Sequence, residues 1–340
     1  MTQAGSPRTR VESRANDFIR GFEELRRGDD EIAGYKGANL GELTAGLFPV
    51  PAGFVITAAA YGLAMERPAR RELLVVLGEA LSRGAREEVE RIALAIRSDL
   101  ARTPVPAELA LAITSAYRKL GDNVAVAVRS SMVSDDRAGT SLRSATETFP
   151  NVKGETNLLE KVTACWMNLW CPSMVGYRQL WNQHSEPSMG VVVQRMMKAS
   201  KAGLLLTTDP SQPDRSRILI EATADPLTGV PLSSGSADSY SVRKSDMRLV
   251  ETKLAGDVGP DRDLPPQKPR PTPEPPIWLE GRGMSVQELR NDARVLTNHQ
   301  AFALSSIGAD VERQYGSPQE VDWVFEDGSF YLLRSRSIVG

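Results

Sequence analysis

Three groups of residues have the types and spacing to do chemistry. The first is a lysine between glycines, Gly34-Tyr35-Lys36-Gly37. Glycines let a backbone approach a polyphosphate closely, and an ammonium neutralises its charge. A surface turn with a solvated lysine explains the same residues, and the spacing is not that of a Walker loop. The second is Arg129, directly after the apolar run Val124-Ala125-Val126-Ala127-Val128. That run reads as a buried strand, so Arg129 is expected where the strand passes into a loop, a place where α/β proteins gather ligand groups. A guanidinium there clamps a phosphate or pairs with a carboxylate. The third group is Glu320 and Asp322 on one expected strand and Arg334 and Arg336 on the next, joined around Asp327-Gly328. Alternation puts each pair on one face of its own strand. Carboxylates so spaced hold Mg²⁺ against phosphate oxygens, or they form two cross-strand salt bridges that need no ligand.

Other chemistries find little support. Cys165 lies on the apolar stripe Leu158, Val162, Cys165, Trp166, Leu169 and reads as a buried thiol; with Cys171 alone beside it there is no disulfide framework or zinc cluster. His184 and His299 show no ligand spacing. A net charge of -2 provides no global basic field for nucleic acid. The polar first 17 residues lack a signal-peptide core, and the most apolar window, 45–64, is broken by Pro49 and Pro51. No membrane helix is expected, and a cytoplasmic location follows by default.

The elements that must position these groups belong to a chain of 340 residues, long enough for two lobes. Residues 1–17 read as a disordered N-terminus and 17–26 as a helix. Val89, Ile92, Ile96 and Leu100 recur at helical spacing up to Pro104, and Pro106 opens a further helix to about Leu120. Residues 132–154 read as a long polar loop, followed by the cysteine-bearing helix, which stops near Pro172. From Val191 short strands take over at 191–196, 203–207, 218–222 and 240–242. The lobes are therefore expected to span 18–190 and 191–340. Residues 264–276 form a proline-dense connector, a helix is expected over 285–307, and strands 321–325 and 330–336 make a closing hairpin.

The order of these segments carries a resemblance. Gly34-Tyr35-Lys36-Gly37-Ala38-Asn39-Leu40-Gly41-Glu42-Leu43, followed by Pro49-Val50-Pro51-Ala52-Gly53-Phe54-Val55-Ile56-Thr57, resembles the opening of phosphoenolpyruvate synthases and pyruvate phosphate dikinases. Ala127-Val128-Arg129-Ser130-Ser131 is similar to their next hallmark, and the loop after it keeps Asp136, Ser141, Thr148, Asn151, Val152 and Gly154. Val192-Val193-Gln194-Arg195-Met196 is similar to the family's adenine-side strand, and Thr207-Thr208-Asp209-Pro210 to its next signature. Gly316-Ser317-Pro318-Gln319-Glu320-Val321-Asp322-Trp323 and Leu333-Arg334-Ser335-Arg336 resemble its closing hairpin. The likeness covers residues 30–340. It implies an α+β, two-lobed ATP-grasp fold with ATP held between the lobes.

By the same resemblance Lys36 and Arg129 contact phosphates, with Thr148 also at the nucleotide. The backbone around Gln194 and Met196 holds adenine, Glu320 and Asp322 face a Mg²⁺–triphosphate, and Arg336 adds a phosphate contact. A stand-alone ATP-binding half-enzyme is expected, passing phosphoryl to a histidine of a separate phosphohistidine-domain protein or to a small molecule, as in the related rifampin phosphotransferases. The joint presence of Lys36, Arg129 and Asp322 favours that reading, while the departures add weight to an alternative, a catalytically impaired pseudoenzyme or nucleotide-binding module that regulates or scaffolds a partner. Tyr35 replaces a glycine, Arg143-Ser144 an Ala-Gly pair, and Ser173 an arginine; a Gly-Leu-Gly-Glu segment is missing from 224–229. Arg334 stands where the family has a metal-binding glutamine, and a guanidinium has no acceptor for a metal. The expected hairpin register sets Asp322 opposite Arg334 and Glu320 opposite Arg336, which requires a longer turn or a bulge.

Overall fold

The computed structural model describes residues 17–133, 147–180, 187–211, 214–224, 237–255 and 294–338. The fold is α+β, with two antiparallel sheets. Contacts divide the chain into a first unit, Met1–Lys198 with Leu332–Ser335, and a second, Ala199–Tyr331 with Arg336–Ile338.

The first unit contains β1 (Ile19–Gly21), α1 (Asp30–Ala45), β2 (Gly53–Ile56), α2 (Ala58–Met65), α3 (Pro68–Ser82), α4 (Arg86–Arg102) and α5 (Ala107–Lys119). β3 (Val126–Met132), β4 (Thr148–Val152), α6 (Glu155–Asn168), α7 (Pro172–Leu180) and β5 (Met189–Arg195) follow. The sheet order is β1-β2-β5-β3-β4. Val191 and Val193 pack with Ile92, Ile96, Val162 and Trp166 of the helices, whereas Val192 packs with Phe22, Leu25, Ala33 and Leu40. A strand buried on both faces needs a continuous apolar run, and β5 has one. The stripe expected on α4 is buried in full: Val89, Ile92, Ile96 and Leu100.

Three expectations for this unit change. The segment expected as a helix over 17–26 supplies β1 and a single 3-10 turn, Phe22–Glu24, because Ile19, Arg20 and Gly21 pair with Ile56, Val55 and Phe54. Strand pairing overrides local propensity there. The expected loop 132–154 contains β4, which pairs with β3; Asp136, Ser141, Arg143 and Ser144 lie outside the described residues. The division expected at 190/191 falls inside β5 and moves to Lys198/Ala199, because β5 pairs with β2 on one side and β3 on the other.

The second unit contains β6 (Lys201–Leu206), β7 (Arg217–Thr223), β8 (Asp238–Arg243), β9 (Leu249–Lys253), α8 (Asn298–Tyr315), β10 (Gln319–Glu326) and the two ends of β11 (Ser329–Ser337), whose residues Leu332–Ser335 count with the first unit; the sheet order is β11-β10-β6-β7-β8-β9. β9 has no counterpart in the sequence reading. α8 starts at Asn298 rather than 285, where Thr297 and Gln300 form a capping box: Thr297 Oγ1 accepts from Gln300 N at 3.2 Å and Gln300 Oε1 from Thr297 N at 3.1 Å. Gly316, at φ 64, ends it. The expected disordered start, the proline-dense connector 264–276 and the early part of the expected helix lie outside the described residues, apart from Asp17. Among the described residues no helix is long and apolar enough to cross a membrane.

The closing hairpin turns through Asp327 (φ 49) and Gly328 (φ 82), two left-handed residues as a tight type I′ connection requires. Near the turn the Phe325 and Phe330 rings meet at 4.8 Å between centroids. At the open end Ile338 N donates to Pro318 O at 2.9 Å, Gln319 Nε2 to Ser337 Oγ at 3.2 Å, and Arg336 is ion-paired with Glu320. These partners differ in register from Phe325/Phe330 by one residue. β11 therefore carries a one-residue bulge on the way, and burial locates it: Phe330 and Leu332 are buried, then Ser335.

Candidate functional site

Lys36 owes its position to a break in α1. Gly34 adopts φ 67, ψ 165 inside the helix, and a Cβ there would collide with the carbonyl of Ser131. Glycine is therefore required, and the helix that restarts presents Lys36 to β3. Lys36 Nζ donates to Ser130 O at 2.9 Å, and Gly37 N to Ser131 Oγ at 3.1 Å. The Ser130-Ser131 pair is thus the anchor of the lysine turn, a role the sequence reading missed.

Arg129 sits within β3 rather than at its end, because β3 runs on to Met132. Its register partners are Thr148 on β4 and Val192 on β5, so the structure makes Arg129 and Thr148 direct cross-strand neighbours. Arg129 Nη1 also donates to Leu333 O at 3.2 Å. Gln194 pairs with Ala127 and Gly53, which places it on the same sheet face as Arg129. Lys36, Arg129, Thr148 and Gln194 therefore all belong to the first unit, instead of being divided between two lobes. Gln194 is 3% exposed and its Nε2 is buried without a hydrogen-bond partner. A buried amide donor left unmet costs about 1–3 kcal/mol and marks a place where a ligand acceptor fits. Met196 N already donates to Ala125 O at 2.8 Å.

Cys165, on α6, is fully buried, and its thiol is pushed up to about 12 by burial first, then by Glu147, with Lys36 opposing. It is a core thiol, as expected.

In the second unit α8 covers one face of the sheet, burying Ala301, Leu304, Gly308 and Val311. The other face carries the charges. Register aligns Asp322 with Leu204 and Glu221, and Glu320 with Leu206 and Leu219. Glu320 and Arg336 form an ion pair with side chains only 12% and 13% exposed. Glu221, absent from the sequence reading, is a third carboxylate on this face. Burial, then the neighbouring Glu320, raises its pKa, and its Oε2 is buried without a partner. Alternation along β7 was the signal that could have found it.

The donor set does not fit a conventional Mg²⁺ site. One of the two expected carboxylates, Glu320, is held by Arg336; Arg334 offers no acceptor; and among the described residues no three His, Cys, Asp or Glu side chains are grouped to hold a metal.

An α+β chain with a glycine-seated lysine, a strand arginine and an unmet buried amide on one sheet has the makings of a nucleotide-binding domain. It matches the family model for the pyruvate phosphate dikinase AMP/ATP-binding domain over residues 30–339, and the chain belongs to that family. It is 35% identical over 332 residues to a probable phosphoenolpyruvate synthase of Methanothermobacter thermautotrophicus, covering 94% of this chain and 46% of that protein. It is 31% identical to a probable phosphoenolpyruvate synthase of Methanocaldococcus jannaschii, covering 94% and 26%, and 34% identical to a rifampicin phosphotransferase of a Streptomyces species, covering 91% and 34%. The chain thus spans less than half the length of these relatives.

Proposed function

We propose that the chain binds ATP and serves as the nucleotide-binding part of a phosphotransferase. The observation that carries this is Gln194: a buried amide with an unmet donor on the sheet face that also bears Arg129, in the unit that seats Lys36. Lys36, Arg129 and Arg336 are the cations offered to the phosphates, with Thr148 beside Arg129. The backbone around Gln194 and Met196 takes the adenine. Glu320 and Asp322, the metal carboxylates that the family resemblance implies, are the acidic groups on the hairpin side, and with Glu320 held by Arg336 they do not make a conventional Mg²⁺ site. The acceptor is a histidine of a phosphohistidine domain outside this sequence or a small molecule, the latter favoured by the likeness to a rifampicin phosphotransferase. Catalysis in this part is positioning and charge neutralisation.

Calorimetry with ATP tests the reading. Saturable binding is expected, and Lys36→Met weakens it about 10- to 100-fold, the scale of one charge-assisted bond to phosphate. Absence of heat at millimolar ATP overturns it. A second reading, a nucleotide-binding module without transfer chemistry, is favoured by the misfit of the metal donors around Glu320, Arg334 and Arg336. It predicts the same binding but no phosphoryl transfer to any histidine-bearing partner.

A further inference from the structure

The face of the closing hairpin has a feature that its metal donors do not explain. Arg334 and Arg336 flank buried Ser335 and are both half-buried, so they alternate with it and share one face of β11. Arg336 identifies that face, because it is paired with Glu320. Glu320 and Asp322 share the matching face of β10. Two guanidiniums thus stand with Glu320 and Asp322 and offset the charge of those two carboxylates before any metal arrives, with Glu221 the third acidic group on the face. A neutral side chain at 334 leaves the same face negative, and a polyphosphate then needs a divalent cation to approach it.

We propose that Arg334 is a built-in cation that substitutes for part of the charge of Mg²⁺, so that this chain binds nucleoside polyphosphates with little dependence on divalent metal. The inference rests on the ATP-binding reading above. A guanidinium offers planar, fixed donors to phosphate oxygens and is always charged. It cannot reproduce a metal's exchangeable waters or octahedral ligand field, so affinity is retained while metal-dependent geometry is not.

The test titrates ATP into the full chain in excess Mg²⁺ and again in EDTA, for the unmodified protein and for Arg334→Gln. The unmodified protein should change its Kd by less than about threefold between the two conditions, well under one tenfold step. Arg334→Gln should lose at least about tenfold in EDTA and recover with Mg²⁺, as expected when one charge-assisted contact is removed. A tenfold or larger loss in EDTA by the unmodified protein overturns the inference even if the variant does not fold, and leaves ATP binding standing. A folded Arg334→Gln that stays as metal-insensitive as the parent removes Arg334 from the explanation. No binding in either condition overturns the ATP reading and this inference with it.

Discussion

In the first unit Lys36 donates to the carbonyl of Ser130 and Arg129 to the carbonyl of Leu333; in the second, Arg336 is paired with the carboxylate of Glu320. The two arrangements respond differently to a ligand. Giving up the bond to the Ser130 or Leu333 carbonyl strands a dipole, whereas giving up the bond to the buried Glu320 carboxylate strands a charge. On the proposed reading, and for these bonds, the cations of the first unit are the easier ones for a phosphate to draw away. In the second, the ligand must compete with a charge already present, and Glu221, its pKa raised by burial and by Glu320, adds to the cost of negative charge there.

Removing the cations one at a time is the strongest way to break this comparison. Arg336→Met should destabilise the protein by about 3 kcal/mol, the low end of the cost of orphaning a buried charge. Lys36→Met, which removes the bond to the Ser130 carbonyl, should cost about 1 kcal/mol. Urea unfolding of both variants measures the contrast; equal losses would erase the distinction between the two sheets. Gly34→Ala comes next. It forces a Cβ into a left-handed backbone against Ser131, and should cost about 1–3 kcal/mol while weakening ATP binding through the displaced Lys36. A variant as stable as the parent would show that the α1 break does not depend on glycine.

The smallest effect sharpens the second half of the comparison. Because the folded pKa of Glu221 is raised, folding favours its protonated form. That contribution is fully present below the unfolded carboxylate pKa and is lost as pH rises through the folded value. Glu221→Gln should therefore raise the melting temperature at pH 7, by about 2 °C, and the gain should vanish near pH 4. A gain independent of pH would point to packing rather than charge.

How much could be read without the fold differs by segment. The α4 stripe and the β5 valines were legible because burial imposes a period on consecutive residues. β1 was not, since three residues carry no period and their strand character comes entirely from pairing with β2. The α8 start was misplaced although the Thr297/Gln300 capping signature stood in the sequence, because the preceding polar residues also suit a helix. Within the candidate site, Lys36, Arg129, Glu320 and Arg336 were found as residue types in order. The alternation of Glu221 with Ile220 and Ala222 is local, but its sharing a face with Glu320 and Asp322 depends on pairing through β6.

Residue type and order along the chain were enough for the α+β composition, the family and the list of candidate groups. Only the tertiary structure decided which of those groups share a face. Arg129 lies beside Thr148 and on the face of Gln194 because β3 pairs with both β4 and β5. Glu320 meets Arg336 because a single extra residue in β11 shifts the register between a two-residue turn and the open end of the hairpin. With side chains alternating every residue, that one-residue shift reverses which side chains face the carboxylates, and nothing local in Leu333-Arg334-Ser335-Arg336 reveals it.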